Sequence, residues 1–139
     1  MFEGEYQQGV RQGYGKLTNS HHKYIGNFEH NLYEGEGQLV TGKEIYVGQF
    51  REGMKHGTGK NQGGELNYDG EWVNGHPEGT GVLKEGEVEL LGRFKKGVLD
   101  EEQEVTIRYE DGGMFKGEVH GGKPNGKGYL IRDQKTVYG

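Results

Sequence analysis

The chain has no cysteine, two prolines and one serine, Ser20. The missing cysteines exclude disulfides, thiolate nucleophiles and every cysteine-based zinc site. Ser20 lies in a segment that reads as a turn and has no nucleophile motif around it, so serine-hydrolase chemistry has no starting point. No apolar run is long enough to cross a bilayer as a helix, and no targeting segment stands out. A soluble protein of a reducing, cytoplasmic compartment is the expectation. Leu, Ile, Val and Phe together number 28 of 139 residues, which lies at the border below which chains stay disordered for lack of burial. Basic clusters are also missing: net charge is -5, and the longest cationic run is Lys95-Lys96. This excludes nucleic acid as a partner, because neutralising phosphates needs a dense cationic face. Adsorption to acidic lipid by charge alone is disfavoured for the same reason.

What the chain has instead is glycine, 29 residues of it, with 9 Tyr, 5 Phe and one Trp, set on a strict period. Units beginning at Phe2, Tyr24, Tyr46, Tyr68, Leu90 and Phe115 are spaced by 22 residues four times and by 25 once. Each unit carries glycine two positions later and a second apolar residue at position four: Tyr6, Phe28, Phe50, Trp72, Phe94 and Val119. A further glycine follows at position seven (Gly9, Gly53, Gly75, Gly97, Gly122), replaced by Asn31 in unit two. A Gly-x-Gly pair comes next: Gly13/Gly15, Gly35/Gly37, Gly57/Gly59, Gly79/Gly81 and Gly126/Gly128. Leu17, Leu39, Leu83, Val105 and Leu130 follow that pair, with Asn61 the exception. Gly42, Gly64 and Gly86 mark turns between units.

The start residue, its glycine and the second aromatic have the same parity, so on a strand they share one face. A period of two gives no helical stripe, and the interior glycines oppose a helix. The pattern predicts an all-β protein: a single array over residues 1–139, an elongated, twisted, single-layer antiparallel sheet of six tandem β-hairpins. About twelve strands at ~4.8 Å spacing would extend roughly 55–60 Å. Glycines at strand positions have a geometric reason, because a ring can lie flat against a neighbouring strand only where there is no Cβ.

Tyr46-Val47-Gly48-Gln49-Phe50 followed by Gly53-Met54-Lys55-His56-Gly57-Thr58-Gly59 resembles the MORN repeat (membrane occupation and recognition nexus), and Tyr68-Asp69-Gly70-Glu71-Trp72 with Gly75, Gly79 and Gly81 matches as closely. The resemblance implies a hairpin ribbon with an aromatic-lined groove that binds another protein, sometimes associates with a membrane and often dimerises. It also implies a cytoskeletal, ciliary or cortical setting. Unit five departs from the pattern. It starts with Leu90, lacks the Gly-x-Gly pair, and is three residues longer through Asp100-Glu101-Glu102-Gln103-Glu104 and Glu110-Asp111-Gly112-Gly113. A bend, bulge or widened acidic loop is expected there.

A one-layer ribbon cannot cover both of its faces, so part of the aromatic face is expected to stay open as a groove. Its central residues are Tyr46, Phe50, Tyr68, Trp72 and Phe94, and its occupant is a partner helix or an extended peptide. No cofactor and no metal site are expected, although His21-His22 is the best-placed histidine pair. Gly121-Gly122-Lys123-Pro124-Asn125-Gly126-Lys127 begins like a phosphate-binding loop, but Gly128 stands where Ser or Thr is needed. The reading is a non-catalytic scaffold or adaptor. The alternative is a membrane-associated phospholipid-binding module, for which Lys55, Lys60, Lys95, Lys96 and Lys123 would have to converge on one edge. Phe2 opens a full repeat at the first residues, and Val137-Tyr138-Gly139 stands where another unit would begin, so the expectation is either a piece of a longer array or ends that pair, in a homodimer or an end-to-end contact with another repeat protein.

Overall fold

A computed structural model describes residues 1–132, and Val137-Tyr138-Gly139 lies outside them. Four regular hairpins come first: β1 (Phe2–Gln7) with β2 (Val10–Thr18), β3 (His22–Glu29) with β4 (Leu32–Thr41), β5 (Glu44–Arg51) with β6 (Met54–Gln62), and β7 (Tyr68–Val73) with β8 (His76–Glu85). Unit five consists of β9 (Val88–Lys95), the short β10 (Val98–Leu99) and β11 (Val105–Tyr109), and unit six of β12 (Met114–His120) with β13 (Lys123–Ile131). All thirteen strands form one open antiparallel sheet in sequence order, with β10 attached only to β9.

Each hairpin closes through a two-residue turn with both residues at positive φ. Glu52 and Gly53, at 49° and 85°, and Asn74 and Gly75, at 48° and 87°, are examples. This is the turn geometry whose twist matches that of the flanking strands. It accounts for the glycine at position seven, and for Asn31, at 70°, where that glycine is missing.

Each regular hairpin also contains a bulge. Gly48 faces Gly59 and Phe50 faces Lys55, so Gln49 alone opposes the three residues His56, Gly57 and Thr58. The two glycines of the Gly-x-Gly pair therefore have different causes. Gly57, at φ 74°, takes the left-handed conformation that the bulge requires. A Cβ on Gly59 would overlap the ring of Tyr46. Between hairpins the register is unbroken: Gly35, Gly37 and Leu39 oppose Phe50, Gly48 and Tyr46. Because directly opposed residues share a face, the start rings and second aromatics fall on one side of the sheet, here the ring face, while Val47, Lys60 and the exposed Tyr14 and Tyr129 lie on the outer face.

In unit five the chain leaves the sheet after Leu99, turns through Asp100–Gln103 and returns at Val105, which occupies the place of Gly37 or Gly59 and not the leucine-row place its spacing gave it; that place, opposite Leu90, is taken by Ile107 because the detour is two residues longer. Two of the three extra residues enter at the bulge and one in the turn at Glu110–Gly113. Packing compensates for the lost glycine. Val105 is larger, Leu90 is smaller than the tyrosine it replaces, and both are buried with Ile107, Phe115 and Val119 in a second apolar cluster.

Candidate functional site: the ring face

Tyr24, Phe28, Tyr46, Phe50, Tyr68, Trp72 and Phe94 form one continuous core along the ring face. Each start ring meets the second aromatic of its own unit and of the next unit edge to face: Tyr46 lies 5.0 Å from Phe50 and 5.3 Å from Trp72, and Tyr68 lies 5.2 Å from Trp72 and 4.9 Å from Phe94. The tyrosine hydroxyls donate to backbone carbonyls, Tyr46 to Gln49 at 2.7 Å and Tyr68 to Glu71 at 3.0 Å. The Trp72 indole donates to Gly59 O at 2.9 Å. Every polar tip in this stack is satisfied within the sheet.

The structure brings all five expected groove residues together, but it does not leave them open. Tyr46, Phe50, Tyr68, Trp72 and Phe94 are only 1–3 % exposed. The reason is a column of residues at position nine of each unit: Arg11, Tyr33, Lys55, Pro77, Leu99 and Pro124. The bulge turns this residue over the start ring of its own unit and toward the second aromatic of the next. Tyr33 stacks on Tyr24 at 3.8 Å and meets Phe50 edge-on at 5.6 Å. The Arg11 guanidinium lies 5.6 Å from Phe2 and 5.7 Å from Phe28, and the Lys55 ammonium 5.2 Å from Tyr46 and 5.3 Å from Trp72. These are cation–π distances. The partly exposed apolar residues packed against the stack are Phe2, Leu17, Tyr33, Leu39, Leu66, Leu83 and Leu99. The six members of the covering column are chemically unlike, and only their common spacing marks them in the sequence.

Unit three has the one polar member of the leucine row. Asn61 is buried, its amide donates to Leu66 O at 2.9 Å, and its carbonyl accepts from Lys55 Nζ at 2.9 Å. Lys55 also pairs with Glu44 at 3.4 Å. Lys55 is thus committed to the ring face, whereas Lys60 points from the outer face, and Lys95, Lys96 and Lys123 lie along the hairpin-turn edge. The five lysines do not share one edge.

Burial suppresses the ionisation of the ring-face phenols. Tyr24, Tyr33 and Tyr46 titrate above the ordinary range, chiefly because burial disfavours the phenolate. Tyr68 is pushed up to about 12, first by burial and further by Glu71, Asp69 and Glu78, against the lowering effect of its hydrogen bond to Glu71 O. The folded state keeps a proton that the unfolded chain loses near pH ~10. Their contribution to stability is therefore complete below that pH and drains away as pH rises toward the folded values. In an alkaline titration these phenols should form tyrosinate together with the loss of the far-UV circular dichroism signal, not ahead of it.

Neighbouring units are also tied at their turns. The amide of Gly53 donates to Tyr33 O at 3.0 Å and that of Glu52 to the Glu34 carboxylate at 3.0 Å, and Gly97 and Lys96 repeat this with Pro77 O and Glu78. In unit five the detour removes these acceptors, and the Glu101 carboxylate takes both amides of the next turn, Gly121 at 3.1 Å and Gly122 at 2.8 Å. The two hydrogen bonds hold its carboxyl below the usual range. Glu101→Ala should speed amide exchange at Gly121 and Gly122 while leaving Glu52 and Gly53 unchanged. The segment that begins like a phosphate-binding loop is therefore a capped turn followed by a strand. Among the described residues no three His, Asp or Glu side chains gather as metal ligands, and the amides of His21 and His22 both donate to Asn19.

A protein-family model, the MORN repeat, matches residues 2–20, 24–42, 46–60, 68–84 and 115–135, more than half of the chain. The one unit left unmatched is unit five, whose strand is interrupted. No curated relative matches the chain.

Proposed function

The chain belongs to the MORN-repeat family, a non-enzymatic repeat module of protein- and membrane-interaction scaffolds, and on that premise we propose that it is a non-catalytic scaffold or adaptor holding a protein partner along its ring face. The observation that supports this is the set of partly exposed apolar residues, Leu17, Tyr33, Leu39, Leu66, Leu83 and Leu99, packed against the buried stack and interrupted at unit three by Lys55 and Asn61. Tyr46, Phe50, Tyr68, Trp72 and Phe94 form the floor of the site and fix its shape, and the layer above them makes the contacts. A partner helix with apolar residues at i, i+3, i+4 and i+7, or an extended peptide, suits such a ridge. A cytoskeletal, ciliary or cortical setting is what the family likeness adds to the reading.

The test is selection of peptide binders from a display library, followed by affinity measurement on Leu39→Gln (ring face) and Val47→Gln (outer face), each checked for fold by circular dichroism. Leu39→Gln should weaken a selected peptide at least tenfold and Val47→Gln should not. Equal losses, or loss with Val47→Gln alone, would move the site off the ring face. The alternative, a phospholipid-binding module, predicts flotation with anionic but not neutral liposomes, abolished by salt.

A further inference from the structure

The run of partly exposed apolar residues on the ring face is broken at unit three. Leu17, Leu39 and Leu83 hold the same place in units one, two and four, and Asn61 holds it in unit three. In the covering column, Tyr33 and Leu99 pack against the core from units two and five, and unit three has Lys55. The two exceptions are joined: Lys55 Nζ donates to Asn61 Oδ1 at 2.9 Å and pairs with Glu44 Oε1 at 3.4 Å. Of the ion pairs among the described residues this one is the least exposed, with 20 % of the Lys55 side chain and 35 % of the Glu44 side chain accessible. Its hydrogen-bonding capacity is not used up. An ammonium has three donors, and Asn61 and Glu44 take two of them. Glu44 Oε2 accepts no hydrogen bond among the described residues, and Gly64 leaves it uncovered, since a Cβ there would lie 2.7 Å from this oxygen. One free N–H and one free carboxylate oxygen thus stand side by side between two apolar stretches.

We propose that unit three sets the register of the ring-face partner by requiring a carboxamide, Asn or Gln, at one point of an otherwise apolar partner segment. The inference rests on the ring-face reading and names the chemistry of the partner there. A segment that crosses this face takes the remaining water from Lys55 and Glu44, and an ion pair that loses water without gaining hydrogen bonds costs more than it returns. A carboxamide meets both needs, accepting from Lys55 Nζ and donating to Glu44 Oε2. A carboxylate would satisfy the ammonium and be repelled by Glu44. An ammonium would satisfy Glu44 and be repelled by Lys55, and an aliphatic side chain would satisfy neither. Equivalent places in successive units are two strands apart, ~10 Å, so the carboxamide is flanked at that distance on either side by apolar contacts, with Leu39 in unit two and Leu83 in unit four. A single polar residue in the apolar seam of a coiled coil fixes alignment in the same way.

The experiment uses the full chain and the peptides selected on it, of which only those weakened by Leu39→Gln are carried forward. These should share one Asn or Gln flanked by apolar residues. One such peptide is then made with Gln, Glu or Leu at that place, and its affinity is measured for the wild type and for Glu44→Gln, an isosteric change at a partly exposed side chain, with circular dichroism as the check on folding. The wild type should bind the Gln form at least tenfold more tightly than the Glu or Leu form. In Glu44→Gln the Lys55 ammonium has lost its counter-charge, so the Glu form should bind as tightly as the Gln form or more tightly. Absence of a shared carboxamide, equal binding of the three forms by the wild type, or a preference for Gln over Glu that Glu44→Gln leaves unchanged overturns the proposal while the dependence on Leu39 stands. If no selected peptide responds to Leu39→Gln, the ring-face reading falls and this inference falls with it.

Discussion

Trp72→Ala is expected to lower the stability of the protein by about 3–5 kcal/mol, the range for removing a large buried aromatic. Trp72 stands at the middle of the stack, 5.3 Å from Tyr46 and 5.2 Å from Tyr68, with its indole bonded to Gly59 O and the Lys55 ammonium above it. Its removal leaves a cavity under Lys55, takes the indole donor from Gly59 O and takes one of their edge contacts from each of Tyr46 and Tyr68. Since ordinary domains are stable by only ~5–15 kcal/mol, a loss of this size should show as a large fall in the urea midpoint followed by circular dichroism. It also means that lost partner capture by this variant would report on folding as much as on contact. Substitutions in the layer above, such as Leu39→Gln, separate the two.

The second large effect is at glycine. Gly70→Ala should cost about 3 kcal/mol, at the upper end for overpacking, because its Cβ would lie 2.5 Å from Gly81 Cα and 2.6 Å from Thr80 O, both backbone atoms of the paired strand. Neither can move without opening the β7–β8 pair. Gly86→Ala is the control. Its φ is 60° and nothing lies within 4 Å of the added carbon, so only the left-handed conformation is penalised, at about 1–2 kcal/mol. Paired urea titrations test the difference. Equal losses at the two sites would show that backbone conformation, and not the close approach of strands, explains the glycine column.

The parts of this architecture that were legible in the sequence are those in which one residue type repeats. The start rings, the glycines beside them and the second aromatics recur with the same chemistry, so the hairpins and the all-β sheet followed from spacing alone, while the register shift at each bulge did not. The turn glycines followed too, including the substitution by Asn31, since asparagine tolerates positive φ. The covering column did not stand out. Arg, Tyr, Lys, Pro and Leu share no property that a pattern would reveal; they share a place beside a bulge from which each side chain falls across a ring. Missing that column is why the stack was expected to be open. A one-layer sheet does leave its faces uncovered by other elements, but here the second strand of each hairpin supplies its own cover. Unit five was legible as an irregularity and illegible in its repair, because Leu90 and Val105 compensate each other only when the register places them together.

The pairing of Asn61 with Lys55 shows the same limit. A polar residue in a leucine row and a lysine in a covering row read as two unrelated exceptions along the chain. In the fold they are one device: the ammonium sits over two rings and is anchored by the amide and by Glu44, while the amide holds the loop that carries Leu66.

Acrylamide quenching of the single tryptophan tests most directly whether the ring stack is a closed floor or an open groove. Trp72 in the folded protein should be quenched far less than free indole, and Lys55→Ala, with its circular dichroism unchanged, should raise quenching by uncovering the ring. Quenching of the wild type as efficient as that of free indole would contradict this. The rings themselves would then be the open surface, and the residues above them would not be the contacts.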